Sequence, residues 1–475
     1  MPESPYNQIA GREEGVAVHG RQRGGVGGSG SGPGPKPKRS SSDGRSPGRP
    51  LHGEGRRRAA SERPKSRVAS GRPGQASSNF RTSRGTMRSS RPWREAATVL
   101  LAAGGCSPRQ PPSSCPPPPG APFDYELLLL RRSPRSAFLP SAHVFPGGTV
   151  DAADFSADWR ALLPGGAASS SQGGLSSGRP RAPPLFAADR PELSSSPLPQ
   201  EVAFRLCAIR ETFEEAGVLL LVDAAAEPPP GGAAEPPGPL LPPERLPPAS
   251  ELAEWRRRVQ RQPASFLQLC RQLRGVPNIW ALHEWSKWLT PVGRAGRGGR
   301  RYDTVFYLCC LGQGPPSASH DDREVTECQW STPPKAVELF KSQDIWIAPP
   351  QFYELCRLCN FPSLHELHRF GSERALEGCE HWMSVMLIAS DGHMQLLPGD
   401  ELYPEDPDFT GERKPVLTTE KKIEDLMKGA SRLHRIVTQD LNVAVHVNIQ
   451  PKYKHIRPVM MDSKVRNNKD HNSRL

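Results

Sequence analysis

A chain of 475 residues has room for two or three domains, but 54 prolines and 44 glycines, many in long runs, leave only about 300 residues able to build a core. The net charge of +12 sits in the N-terminal tail. Residues 1–100 carry 20 basic and 7 acidic side chains against 42 and 43 in the remainder, so the near-neutral body excludes a nucleic-acid function read from bulk charge. The 10 cysteines follow no disulfide-like spacing, which points to a reducing compartment, and no apolar run is long enough to span a membrane.

Residues 1–86 are Gly, Ser, Pro and Arg with few large apolar side chains, and this composition predicts a disordered basic tail. From Trp93 the pattern becomes globular. Residues 94–105 and 125–133 read as apolar strands, the second ending in arginines, and AHVFPGGTVD (142–151) reads as a short strand entering a tight glycine turn. A Ser/Gly/Pro-rich loop follows over 152–199 and a Pro/Gly-rich one over 224–249; both are expected to be disordered. Between them, EVAFRLCAIRETFEEAGVLLL (201–221) predicts a helix ending at Gly217, then an apolar strand.

Helical pattern resumes over 250–274. IWALHEWSKWLTP (279–291) is amphipathic, with tryptophans 280, 285 and 288 at helical spacing, more readily core than a stacking platform. RRYDTVFYLCCL (300–311) predicts a strand, 323–340 a strand, turn and helix, 349–370 mostly helix, and 382–397 and 434–450 further strands. Strands interleaved with helices give the α/β class. Cys356, Cys359, His365 and His368 stand in metal-like order, but the gap between the pairs is too short for a zinc finger. The loop GRAGRGGRR (293–301) is short and reads as exposed, with charge that helps attract phosphates.

The stretch RETFEEAG concentrates charge. At about 100° per residue, Glu211, Glu214 and Glu215 fall near 0°, 300° and 40° on a helical wheel, one narrow stripe opposite Phe204, Cys207, Ala208 and Phe213. Like charges this close repel, which a hard divalent cation offsets; Mg²⁺ or Mn²⁺ suits such a set, and Arg210 is placed to orient a glutamate. The competing reading is an ordinary solvated glutamate face.

The same letters, R-E-x-x-E-E-x-G, resemble the core of the Nudix box, G-x5-E-x7-R-E-U-x-E-E-x-G-U, and HVFPGG (143–148) matches the turn that opens it, with Gly147 before Gly148 in the first-glycine slot. The resemblance implies an α/β/α sandwich with a mixed sheet, and hydrolysis of a nucleoside diphosphate linked to another moiety with Mg²⁺ held by the helix glutamates. It assigns Glu211 and Glu215 to metal-ligand slots and makes Glu214 a further ligand or the base. Two departures stand out. Gly148 and Arg210 are 62 positions apart where the pattern has 14, a 48-residue insertion, and the box's middle glutamate slot holds Val202 beside Glu201. A low-complexity insertion costs little closure entropy, so the box still assembles.

LLLLRRS (127–133) before FPGG, together with segments spread over 91–475, resembles the coenzyme A-cleaving branch of the Nudix family, except that Ala137 and Ser141 stand where its signature has arginine and glycine. That resemblance implies cleavage of coenzyme A or acyl-coenzyme A to 3′,5′-ADP and (acyl-)4′-phosphopantetheine. Arg131 and Arg132 become candidate phosphate contacts. Glu324 becomes a candidate auxiliary acid. Ser473, Arg474 and Leu475 form a variant of the S-K-L peroxisomal address read by an import receptor. The sequence thus divides into a tail (1–86), a Nudix domain (91–345) with its two disordered loops, and a mixed C-terminal extension (346–475). Cleavage of another nucleotide diphosphate, such as ADP-ribose or a dinucleotide, and a catalytically inactive Nudix-fold binding module remain the rival readings.

Overall fold

Alternation along two central strands decides how the layers stack. The computed structural model describes residues 93–104, 123–163, 197–224, 240–291, 300–410, 416–440 and 442–460. The tail over 1–86 and the terminal Ser473, Arg474 and Leu475 lie outside them. The main sheet has eight strands. A path runs through β10 (His381–Met383), β7 (His283–Leu289), β8 (Tyr302–Leu311), β1 (Arg94–Ala103), β2 (Glu126–Arg132) and β3 (His143–Val144). Off this path β4 (Gly147–Thr149) pairs with β1, and β9 (Val325–Ser331) pairs with β2. β1 and β8 are parallel over their full lengths, while β2 is antiparallel to both β1 and β9, so the sheet is mixed.

Odd-numbered residues of β1 and β8 (Ala97, Val99, Leu101, Val305, Tyr307 and Cys309) join one buried cluster with the helix Gln200–Ala216, here α1. Even-numbered Leu308 points the other way, and any side chain at Gly371 of the helix Leu364–Ala375 would run into it. One pleated sheet is therefore covered on both faces, which is why its strands read as unbroken apolar runs. Further out, helices α2 (Ala249–Arg261) and α3 (Ser265–Leu273) flank α1. The single helix expected over 250–274 is broken at Gln262–Pro263, because proline lacks the amide a continuing helix needs.

The loop boundaries also differ from expectation. Residues 152–163, assigned by composition to a disordered loop, form two 3-10 helices, Ala152–Phe155 and Ala157–Ala161, with Asp154, Phe155 and Trp159 buried. Residues 240–249, assigned to the second loop, hold the 3-10 turn Pro243–Arg245 and a buried Leu241. The segment 279–291 is mainly a strand, β7, and its tryptophans do not line up along a helix. Trp285 and Trp288 instead donate to the fully buried Glu354 at 2.8 and 2.9 Å, tying the helix Pro349–Leu358 to the sheet edge. Three tryptophans at 280, 285 and 288 fit a helical period by coincidence of number; pairing with β8 and aromatic packing settle the element as a strand.

Beyond β10 a second sheet has the order β13 (Val416–Thr418), β11 (Val385–Ala389), β12 (Gly392–Leu396), β14 (His434–Gln439), β15 (Asn442–Val447). Asp400 receives Arg435 at 2.6 and 2.7 Å inside it, both side chains fully buried. The remaining strands, β5 (Leu221–Asp223) and β6 (Gly275–Pro277), form a separate two-stranded ribbon.

Candidate active site

Helix α1 carries the glutamates, and it is held on every side. Thirteen of its residues are buried, among them Val202, Phe204, Leu206, Ile209 and Phe213, so packing rather than capping fixes it: Pro199 offers no side-chain cap, while Gly217 closes the far end at φ +70°. β1 and β4 lie on one flank and α2 on the other.

The glycine turn meets this helix directly. Thr98 Oγ1 donates to the Pro146 carbonyl at 2.6 Å and Val99 N to the same oxygen at 2.9 Å, pinning the turn to β1. Gly147 then has φ +155°, and a Cβ there would overlap the Ala97 carbonyl oxygen. Its amide donates to Glu215 Oε2 at 2.9 Å. At Gly148 a Cβ would occupy the place of the Glu211 carboxylate. The paired glycines lie within β4 and let two helix carboxylates reach the backbone.

Arg210 organises the other side. Its Nε and Nη2 meet the two carboxylate oxygens of Asp154, both at 2.9 Å, and Nη2 also donates to the Thr149 carbonyl at 3.2 Å. The remaining Nη1 donates to Glu211 at 2.9 Å and to Glu214 at 2.6 Å. Asp154 is itself fixed by a reciprocal cap in which it accepts from Asp151 N at 2.9 Å. Sequence reading missed Asp154, which lay in a segment taken as loop; the D-x-x-D spacing of Asp151 and Asp154, a capping-box pattern ahead of Phe155, was the available signal.

The electrostatics follow from burying this many carboxylates together. Burial pushes Glu211 well above the usual carboxylate range, with Arg210 pulling it back and the charges of Glu214 and Glu215 adding to the rise. Glu214 is raised by burial against the opposing pull of Arg210, with Asp154 and Glu324 adding. Glu215 is pushed up to about 8 by burial; Arg132 and the Gly147 amide oppose this, while Glu324 and Asp321 add to it. A guanidinium answers only part of this charge. Hard oxygen donors that raise one another's proton affinity are the set a divalent cation suits. Among the described residues no three His, Cys, Asp or Glu side chains close on a single point, since Arg210 draws Glu211 and Glu214 while Glu215 turns to Gly147.

A family model described as the NUDT19 Nudix domain matches residues 93–358, and one described as the NUDT19 C-terminal domain matches 386–448. The chain is 60% identical over 391 residues to a Gallus gallus protein named acyl-coenzyme A diphosphatase NUDT19, covering 81% of this chain and 99% of that one. The chain belongs to the Nudix hydrolase family. Proteins of the same name from Xenopus laevis and Homo sapiens are 45% and 49% identical, covering 79% and 77% of this Nudix hydrolase and 98% and 94% of their own lengths. Nudix hydrolases use divalent cations, in keeping with the donor set on α1.

Within this Nudix hydrolase the two arginines at the end of β2 part company. Arg132 shares its pleat face with Leu128 and Leu130, the face against α1, and its Nη1 lies 3.9 Å from Glu215 Oε1. It is oriented by Nε donating to the Phe138 carbonyl at 3.1 Å and Nη2 to Ser136 Oγ at 3.0 Å. Arg131 faces the opposite side and pairs at 3.7 Å with exposed Glu327, away from the glutamates. Glu324 is exposed just before β9, and its charge is felt at both Glu214 and Glu215. Val202 is fully buried in the helix core, and the charged neighbours of Glu201 are Arg205 and Glu284 rather than the cluster, so Glu201 does not stand in for the absent box glutamate. The matched domain also runs past residue 345 to take in the helix bearing Glu354.

Proposed function

We propose that this Nudix hydrolase cleaves the diphosphate of coenzyme A and acyl-coenzyme A to 3′,5′-ADP and (acyl-)4′-phosphopantetheine, using Mg²⁺ or Mn²⁺. The observation that carries the reaction is the carboxylate set on α1: Glu215 meets the Gly147 amide and Arg132, Glu211 lies against Gly148, and Arg210 holds Glu211 and Glu214 together. The substrate class rests on relatives at 45–60% identity that bear the name acyl-coenzyme A diphosphatase. Glu211, Glu214 and Glu215 would hold the ion. A divalent ion bound there neutralises diphosphate charge and acidifies the attacking water.

This chain's own residues do the rest. Arg210, anchored by Asp154, keeps Glu211 and Glu214 on one stripe and stops them turning into the core. The Gly147 amide fixes Glu215, and the guanidinium of Arg132 faces the same carboxylate from the open side, where it can meet a phosphate oxygen. Glu214 is the carboxylate that could instead act as base on the attacking water, its proton affinity raised by burial against the pull of Arg210. Ser473-Arg474-Leu475 supports peroxisomal delivery through an import receptor that reads this address.

The test is purified protein with Mg²⁺ and coenzyme A in ¹⁸O-water, followed by mass spectrometry beside Glu215→Gln. Formation of 3′,5′-ADP and 4′-phosphopantetheine by the wild type alone supports the reading, and the labelled product identifies the phosphorus attacked. Cleavage of ADP-ribose or dinucleotides but not coenzyme A would overturn the substrate, and cleavage of nothing would overturn the hydrolase.

A further inference from the structure

The end of α1 is tied to a segment far along the chain through helix α2. The Glu214 carbonyl, in the last turn, accepts from Arg256 Nε at 2.7 Å and from Gln260 Nε2 at 3.0 Å. Gln260 Nε2 also donates to Asp321 Oδ2 at 3.0 Å, while Arg256 Nη1 donates to Ser319 Oγ at 3.3 Å and to the His320 carbonyl at 3.1 Å. Ser319 N donates to the Ala216 carbonyl at 2.9 Å, which adds a third link between helix end and loop. Asp321 Oδ1 accepts the backbone amides of Arg323, Glu324 and Val325 at 3.2, 3.1 and 2.9 Å. The Glu324 carbonyl accepts Ser133 N at 2.8 Å, next to Arg132. These bonds form a ring: α2, the end of α1, residues 319–325, the end of β2, and back to Glu215 through Arg132.

A helix end needs its last carbonyls satisfied, and water would satisfy them. Satisfaction alone does not call for a guanidinium only 9% exposed, whose desolvation is costly. Nor does it call for a glutamine amide shared between the helix and Asp321. What the arrangement adds over a cap is register between two carboxylate carriers. We propose that Arg256 and Gln260 are positioning residues that, through Asp321, clamp residues 319–325 to the end of α1 and so hold Glu324 beside Glu214 and Glu215 for diphosphate hydrolysis. The Glu324 carbonyl holds the amide of Ser133, the chain neighbour of the Arg132 that faces Glu215. The inference rests on the hydrolase reading above and goes beyond it by giving helix α2 a part in the site.

Because neither residue is aimed at substrate, the clamp acts on turnover and not on binding. In the full-length protein, Gln260→Ala lowers kcat on coenzyme A about tenfold with KM changed less than about twofold, the pattern of a misplaced catalytic group. In a Glu324→Gln background the same substitution lowers kcat less than about twofold, since the group it positions is gone. Arg256→Lys, which keeps the charge but cannot reach both partners, behaves like Gln260→Ala. The amides of Arg323, Glu324 and Val325 exchange with deuterium faster in Gln260→Ala, while those of β1 do not. Equal falls in kcat in both backgrounds, or unchanged exchange at 323–325, would overturn the clamp and leave the hydrolase intact. A wild type that cleaves no diphosphate sinks both.

Discussion

Asp154 and Arg210 lie 56 positions apart in the chain and meet edge to edge, each carboxylate oxygen 2.9 Å from one guanidinium nitrogen. Both are almost fully buried, so the pair is a structural commitment: without Asp154 the Nε edge of Arg210 has no countercharge, and only Glu211 and Glu214 answer it at Nη1. Asp154→Ala is expected to cost about 3–5 kcal/mol in urea unfolding, whereas a surface pair would cost under about 1 kcal/mol. Asp154→Asn, which keeps the shape, falls between them. Loss of kcat should accompany both, because Arg210 then keeps only the Thr149 carbonyl as an anchor from which to hold Glu211 and Glu214. An unfolding free energy within about 0.5 kcal/mol of wild type for Asp154→Ala would refute the anchor.

The two glycines of β4 separate stability from function. At Gly148 the atom in the way is the end of the Glu211 side chain, which can swing aside, so Gly148→Ala should fold and raise the Mg²⁺ concentration needed for half-maximal activity. At Gly147 the obstacle is the Ala97 backbone, and φ is +155°, so Gly147→Ala should cost about 2 kcal/mol or more of stability. Measuring thermal unfolding and Mg²⁺ titration side by side distinguishes them. The reverse assignment would mean that the Glu211 contact does not limit Gly148.

Arg131 and Arg132 are neighbours in sequence and opposites in the sheet. Arg132→Ala should lower kcat/KM about 10- to 100-fold through lost charge beside Glu215, and Arg131→Ala, which breaks only an exposed pair with Glu327, should stay within about twofold. Equal losses in the two variants would show that strand parity does not decide which arginine serves the site.

That parity also marks the limit of what the sequence discloses. The glutamate-bearing helix and the apolar strands are local patterns and they read correctly, whereas the glycines expected in a tight turn stand in strand β4. Asp154 and Asp321 are not local to the box: each reaches it only because the chain folds back, one through the start of a low-complexity insertion and the other through α2. Trp285 and Trp288 are core, as their pattern suggested, but their spacing is set by what they pack against in β7 rather than by a helical turn. Arg131 and Arg132 were offered as equals because composition does not carry sheet register; the bulge between them is visible only once β9 is paired.

Removing the divalent ion should expose the carboxylate repulsion as a pH dependence of stability. Glu215 is raised to about 8 in the fold against about 4.3 for an unperturbed glutamate. A raised carboxylate favours folding while it is protonated, and that contribution is lost as pH climbs from the unfolded value through about 8. Metal-free protein should therefore melt at a lower temperature at about pH 8.5 than at about pH 6. Saturating Mg²⁺ should reduce the difference, because a cation replaces the protons, and the Mg²⁺-induced rise in Tm should be larger at the higher pH. In Glu215→Gln the group no longer titrates, so the metal-free pH dependence shrinks to what Glu211 and Glu214 contribute. A Mg²⁺ shift equal at both pH values and unchanged in Glu215→Gln would show that Glu215 neither titrates in this range nor takes part in holding the ion.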